Sequence, residues 1–258
     1  MANSINTNYG ANVALQTLNA TNKALSTTQN RISTGQSVSS AKDNGALFAI
    51  ATNQRAEMSA LGSVKQSLQR GQSIVDVALA AGDTIVNALT EMKSLAVAIE
   101  ADGTTDSASY LALKADYDSF QAEITSALAG ANFDGVNLFE DADQEVISDT
   151  AGTKKSIGFD AAVTVTPGTV TAAGVQSTLE SFTASLATLG TQSKSLERAI
   201  TFSSKMEDAL EAGIGNLVDA DLAKESAKLT ALQTKQQLGV QALSIANSSS
   251  QILLGLFR

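Results

Sequence analysis

The chain has no cysteine, no histidine, no tryptophan and a single proline among 258 residues. Without cysteine there is no disulfide, no thiolate nucleophile and no sulfur ligand for zinc; without histidine the usual general base near neutral pH is missing as well. Carboxylates, serines and lysines remain as catalytic groups, but none stand in a catalytic arrangement, so the expectation is a non-enzymatic protein without cofactors. One proline permits very long uninterrupted helices. Aromatic residues are 4% of the chain against 43% hydrophobic residues overall. The apolar content is therefore mostly Ala, Leu, Val and Ile, which suits close helix packing better than an aromatic-lined pocket. Positive charge is scarce too, with Lys and Arg totalling 17 against 26 Asp and Glu, a net charge of -9. Such a surface repels a phosphate backbone, and with no compact basic patch nucleic acid is not an expected partner. No apolar run of about 20 residues suggests a membrane span. The first residues lack the basic-then-apolar order of a secretory signal peptide.

What is present is helical periodicity. In the last forty residues Val218, Leu222, Leu229, Leu232, Val240, Leu243, Leu254 and Phe257 recur at helical spacing, which predicts one long amphipathic helix. At the other end Ala11, Leu18, Leu25 and Ile32 repeat every seventh residue from Asn8 onward, supplemented by Ala14 and Leu15. Each end carries a thin seam and no second apolar face, so the two are expected to pair and to serve assembly. Ser33–Ser40 breaks the period as a connector or extended spoke, and Lys42–Gly45 reads as a turn.

From Leu47 to Ile99 two heptad series run three residues apart, one through Leu61, Leu68, Val75 and Leu89, the other through Val64, Ala78, Ile85 and Met92. That is the pattern of a coiled-coil-like seam. Gly71 and Gly82 fall on it, marking close helix contact or a small bend, with close contact the better reading. Ser107–Ala129 predicts a shorter helix with Tyr117, Phe120 and Ile124 on its apolar face. Between Gly130 and Gly174 the period is lost. Asn132–Phe139 reads as a turn with Phe133, Leu138 and Phe139 tucked onto the helices, and Glu145–Ile147, Lys155–Phe159 and Ala162–Val165 as short strands of one or two hairpins. A long helix resumes near Ala173, with a joint expected at Gly213 and Gly215.

The expected fold is therefore mainly α: a long-helix, coiled-coil-like bundle with a short β-hairpin region and paired terminal helices. Residues 1–44 form the N-terminal helix and connector, 45–212 the central bundle with short strands at about 131–170, and 213–258 the C-terminal helix. Glu57 and Glu207 fall on seam positions, but solvated rim positions with basic neighbours are the commoner case. Asp134, Asn137, Asp141 and Asp143 cluster near a turn, yet lack the spacing of a calcium loop. Ser148, Thr150, Thr153, Thr164, Thr166, Thr169 and Thr171 crowd the least helical region as a solvated face, with hydroxyl modification as the alternative. The low-charge terminal helices can bind membrane, a partner protein or copies of themselves. Homopolymerisation fits best, because amides and hydroxyls satisfy one another without buried charge, and a contact that does not close gives a filament.

The terminal stretches also resemble a known family. Ala220–Leu229, Gln236–Asn247 and the ending Ile252–Arg258 look like flagellin, and so do Ser4–Asn8, Leu18–Asn19, Arg31–Gly35 and Ala41–Asn44. The resemblance implies a structural subunit that polymerises with copies of itself, or with related flagellins, into the bacterial flagellar filament for swimming motility. A hook–filament junction protein or another flagellar rod-like protein is the alternative. It implies paired terminal helices forming an inner tube and long central helices around it. The polymerisation seam would then include Leu18, Leu25, Ile32, Leu222, Leu229, Leu243, Leu254 and Phe257. It further implies type III export as an unfolded chain with a chaperone, meetings with cap and hook-associated proteins, an extracellular location, and possible O-glycosylation. The short Gly130–Gly174 segment stands where long members insert large outer domains, similar to alphaproteobacterial flagellins. At the face recognised by vertebrate innate immunity the family's stimulatory pattern carries an Arg where Glu91 stands here, ahead of Lys93 and Leu95. This charge reversal predicts weak recognition.

Overall fold

A computed structural model describes residues 8–103, 107–140, 143–159 and 171–256, with side chains described as far as Ser248. Polar caps and glycines set the helix limits. Asn8 accepts the Ala11 N–H at 3.0 Å and opens α1, Tyr9–Thr34, which stops at Gly35 in the left-handed conformation. Asn44 Oδ1 accepts from the N–H groups of Ala46 and Leu47 and opens α2, Gly45–Asp102. Ser107 caps α3, Ala108–Gly130. Two small antiparallel pairs follow, β1 (Asn132–Phe133) with β2 (Val136–Asn137) and β3 (Gln144–Ile147) with β4 (Lys154–Ile157). The chain ends with α4, Ala172–Val218, and α5, Leu222–Leu256.

It divides into two compact units, Met1–Ala56 with Leu210–Arg258, and Glu57–Ala209. In the second unit both α2 series are buried from Leu61 onward, including Leu68, Val75 and Leu89 on one and Ala78, Ile85 and Met92 on the other. Upstream the same phase is unburied: Glu57 is exposed and so is Ile50, because these first turns fall at or before the start of the unit that supplies the seam's partners, and Ala51 is buried there instead. The seam's glycines are close-contact positions. A Cβ on Gly71 would stand 2.6 Å from Val146 Cγ1, and one on Gly82 would stand 2.4 Å from Leu186 Cδ1. The helix runs through both. Opposite, α4 buries every seventh residue: Val175, Phe182, Leu189, Leu196 and Ser203. Phe139, Phe159 and Phe182 form an aromatic cluster, the first two edge to face at 4.7 Å.

The β1–β2 turn uses positive φ at Asp134 and Gly135, the primed geometry that a two-residue hairpin requires. Leu138 is buried and Phe139 packs on the core, but Phe133 is 37% exposed. Both residues of β1 are exposed and it is β2 that lies against the core through Val136 and Asn137, which corrects the expectation that Phe133 tucks inward. The β3–β4 hairpin sits on α2 through Val146 and through the Ile147 N–H donating to Ser67 Oγ at 3.0 Å. It meets α4 through the Gly158 N–H donating to Gln192 Oε1 at 3.2 Å. The strand expected at 162–165 lies outside the described residues.

Two further expectations are corrected. The joint is not at Gly213 and Gly215, which α4 passes through to Val218; glycine weakens a helix by only about 1 kcal/mol relative to alanine and does not stop one. The break comes at 219–221, where Asp221 Oδ1 accepts the N–H groups of Ala223 and Lys224 and starts α5. An apolar stretch of membrane length does exist: an 18-residue window of α2 has mean hydropathy 1.3, long and apolar enough to cross a membrane, and 39% of it is buried in the helix packing.

Candidate functional site: the paired terminal helices

In the first unit α1 and α5 lie antiparallel. The Asn8 Nδ2 group donates to the Ala246 carbonyl at 2.7 Å, Gln236 Nε2 donates to Asn22 Oδ1 at 2.8 Å, and Arg31 Nη1 meets Glu225 Oε1 at 3.3 Å. Between these contacts Gly239 lets Leu18 approach, since a Cβ there would stand 3.3 Å from Leu18 Cδ1. The facing positions follow heptad spacing on both helices. On α1 they are Ala14, Leu18, Thr21, Leu25, Thr28 and Ile32; on α5 they are Glu225, Leu229, Leu232, Gln236, Gly239, Leu243 and Ala246, and all are buried or half-buried. The connector closes the far end, where Ser37 donates its N–H to the Val218 carbonyl at 2.6 Å and the Ala220 N–H donates to the Gly35 carbonyl at 2.9 Å.

Leu18, Leu25, Ile32, Leu229 and Leu243 are thus half-buried within the pair. Leu222 and Val240 are not: they are 50% and 53% exposed. Leu222 is the first residue of α5, level with Thr34 where α1 ends, and Val240 lies on the flank of the seam beside Gly239. The backbone of Leu254 belongs to α5 and Phe257 lies outside the described residues. The apolar reading of the ends missed Thr21, Thr28 and Glu225, all buried. Their signal was the second heptad series beside Leu18 and Leu25, hidden because its members are polar.

Glu225 has the least usual setting. Burial pushes its carboxyl pKa up, but the hydrogen bond from Arg31 and the charges of Lys228 and Arg31 outweigh this and hold it below the ordinary glutamate range. A carboxylate held in this way ties the two helices together. The pair also keeps apolar side chains facing away from its seam. Tyr9, Val13 and Leu15 on α1, and Leu222, Leu238, Val240 and Ile245 on α5, are exposed by between 43% and 82%. Such side chains along one helix pair mark an interaction surface.

Glu91 is exposed on α2, whereas Lys93 and Leu95 are half-buried. Asp134 pairs with Arg70, Asn137 donates its Nδ2 group to the Leu128 carbonyl, and Asp143 accepts from Ser156, so these side chains hold the hairpins. Asp141 lies outside the described residues. Glu207 pairs with Lys65 at 3.4 Å, and Glu57 is exposed.

A helical bundle whose chain ends form a two-faced, low-charge pair defines a self-assembling structural protein. Residues 5–144 match the bacterial flagellin N-terminal helical region, and residues 172–257 match the bacterial flagellin C-terminal helical region. The chain belongs to the bacterial flagellin family. It is 50% identical to flagellin FljK of Caulobacter vibrioides over 271 residues, covering 99% of each chain. Flagellin FljM of the same organism is also 50% identical, over 273 residues and 99% of each chain. A Brucella melitensis flagellin is 37% identical over 282 residues, again 99% of each. The chain is accordingly a structural subunit of the flagellar filament, in a short form without a large outer domain, and nothing favours the hook–filament junction alternative.

Proposed function

We propose that this chain joins the filament through its α1–α5 pair, with residues 1–44 and 213–258 forming the inner layer of the tube and residues 45–212 surrounding it. The exposed apolar side chains of Tyr9, Val13, Leu238 and Ile245 carry this reading, since burying each against a neighbouring copy contributes on the order of 1 kcal/mol or more. Leu18, Leu25, Ile32, Leu222, Leu229, Leu243, Leu254 and Phe257 belong to the layer that forms in this way, some by holding the pair together and others by meeting neighbours. The lack of any cysteine supports export of the unfolded chain by the flagellar type III route with a chaperone, since no disulfide has to be opened. On this reading the subunit adds outside the cell beneath a filament cap, meets hook-associated proteins at the base, and performs no catalysis. Thr150 and Thr153, exposed in the turn between β3 and β4, are candidates for O-glycosylation. Removing residues 218–258 tests the central point: the central unit keeps its helical melting transition, while growth on sheared filament seeds stops. Normal filaments from the shortened chain contradict it.

A further inference from the structure

We infer that the Arg31–Glu225 pair selects which face of α5 turns toward α1, and so keeps Leu238 and Ile245 on the outside. The selection belongs to the single chain. That the displayed face serves assembly rests on the reading of the protein as a filament subunit.

Apolar burial alone does not choose the face. From Gln236 to Ala246 the side of α5 turned to α1 carries Gln236, Gly239, Leu243 and Ala246, with Leu243 its one large apolar residue. Over the same length the opposite side carries Leu238 and Ile245, seven residues apart and 58% and 69% exposed. Ala231 continues that outer series one heptad earlier and is exposed as well. The outer series is thus spaced as a helix partner requires. Turning α5 over would place two large apolar side chains against this part of α1 in place of one. The Gln236–Asn22 and Asn8–Ala246 hydrogen bonds favour the observed face, but they are made by amides that water can also satisfy. The connector bonds, Ser37 to Val218 and Ala220 to Gly35, stand before the first turn of α5 and set its level rather than its rotation.

The charges near the start of α5 do choose. Arg31 Nη1 meets Glu225 Oε1 at 3.3 Å, and the wholly buried Thr28 hydroxyl stands beside the same carboxylate. Successive helix residues lie about 100° apart around the axis. Rotating α5 until Leu238 and Ile245 face α1 therefore carries Glu225 outward and brings its neighbour Lys224 round toward Arg31. Lys224 is exposed and enters no ion pair among the described residues. On the observed face Arg31 meets an opposite charge; on the turned face it meets a like one. Attraction in one arrangement and repulsion in the other give the seam its orientation without the help of apolar area.

Thiol cross-linking of the free full-length subunit reads the orientation. Asn22→Cys is combined either with Gln236→Cys, on the observed face, or with Thr234→Cys, which shares the outer face with Leu238 four residues on. The ratio of the two yields reports the orientation whatever fraction of the helices is paired. The parent charges are expected to favour Gln236→Cys about tenfold or more. Arg31→Glu should reverse that preference, since the new carboxylate repels Glu225 and attracts Lys224. Adding Glu225→Lys and Lys224→Glu exchanges every sign and should return the ratio to within about threefold of the parent. A parental ratio in Arg31→Glu, even with both yields lowered, overturns the selection, because that is the outcome for a pair that only stabilises the helices. A triple variant whose ratio stays reversed overturns it as well. No filament growth enters this measurement, so its failure is distinct from a failure of the filament reading, which shows as a parent chain unable to extend seeds.

Discussion

At the residue scale, two glycines show how tightly the central bundle is drawn. Gly71 faces Val146, a β-branched side chain with little rotamer freedom, whereas Gly82 faces the flexible end of Leu186. Both alanine variants should destabilise the bundle, by roughly 1–3 kcal/mol in the usual range for overpacking, with Gly71→Ala the more costly. Urea unfolding followed by circular dichroism measures this; equal stability of Gly71→Ala and the parent refutes the close-contact account. These positions were legible in the sequence because a missing side chain on a regular heptad demands something to fill the space. Phe133 was not, since which strand of a short hairpin lies against the core is decided by tertiary packing and not by local hydrophobicity. A second residue-scale prediction concerns Glu91, exposed on α2, which we propose stands where stimulatory flagellins carry a cation. We propose that Glu91→Arg strengthens innate receptor signalling by about tenfold or more, the scale of a reversed interface charge. Equal signalling from the two forms in a reporter cell assay contradicts it.

Elements show where sequence reading succeeds and where it stops. Helices α2 and α4 were visible from their periods because nearly every seam position from Leu61 onward is apolar. The ends of the terminal pair were visible only in part. Five of the thirteen α1–α5 seam positions are Thr21, Thr28, Glu225, Gln236 and Gly239, residues that hydropathy assigns to solvent. The α4–α5 break was misplaced for a related reason: the stop is made by the Asp221 cap and the Gly35–Ala220 and Ser37–Val218 hydrogen bonds, which are tertiary and invisible in a local pattern. The buried carboxylate leads to a pH prediction. Because Glu225 is held below the ordinary glutamate range when folded, its stabilising effect is full above the unfolded value near 4.3 and is lost as pH falls through the folded value. Acid should therefore loosen the α1–α5 pair, and Glu225→Gln should flatten that dependence while weakening the pair at neutral pH. Cross-linking of Asn22→Cys to Gln236→Cys as a function of pH reads it directly. Identical pH profiles with and without the Glu225→Gln substitution rule it out.

For the whole molecule, the contrast between the two units gives the account its content. The unit Glu57–Ala209 buries continuous apolar series and an aromatic cluster, with polar side chains engaged in holding its hairpins. The unit made by the chain ends has a narrow, partly polar seam and keeps large apolar side chains in water. Small, weakly packed helix pairs gain much of their stability from tertiary partners, and we propose that for this pair those partners are neighbouring subunits. Hydrogen exchange on the free subunit and on the same chain grown onto filament seeds measures this most directly. The account predicts rapid exchange along α1 and α5 in the free subunit, slow exchange along α2 and α4 within the central unit, and a rise of about a hundredfold or more in protection of both terminal helices after growth, as neighbours remove their local opening. Terminal helices already fully protected in the free subunit, and unchanged in the filament, would contradict it.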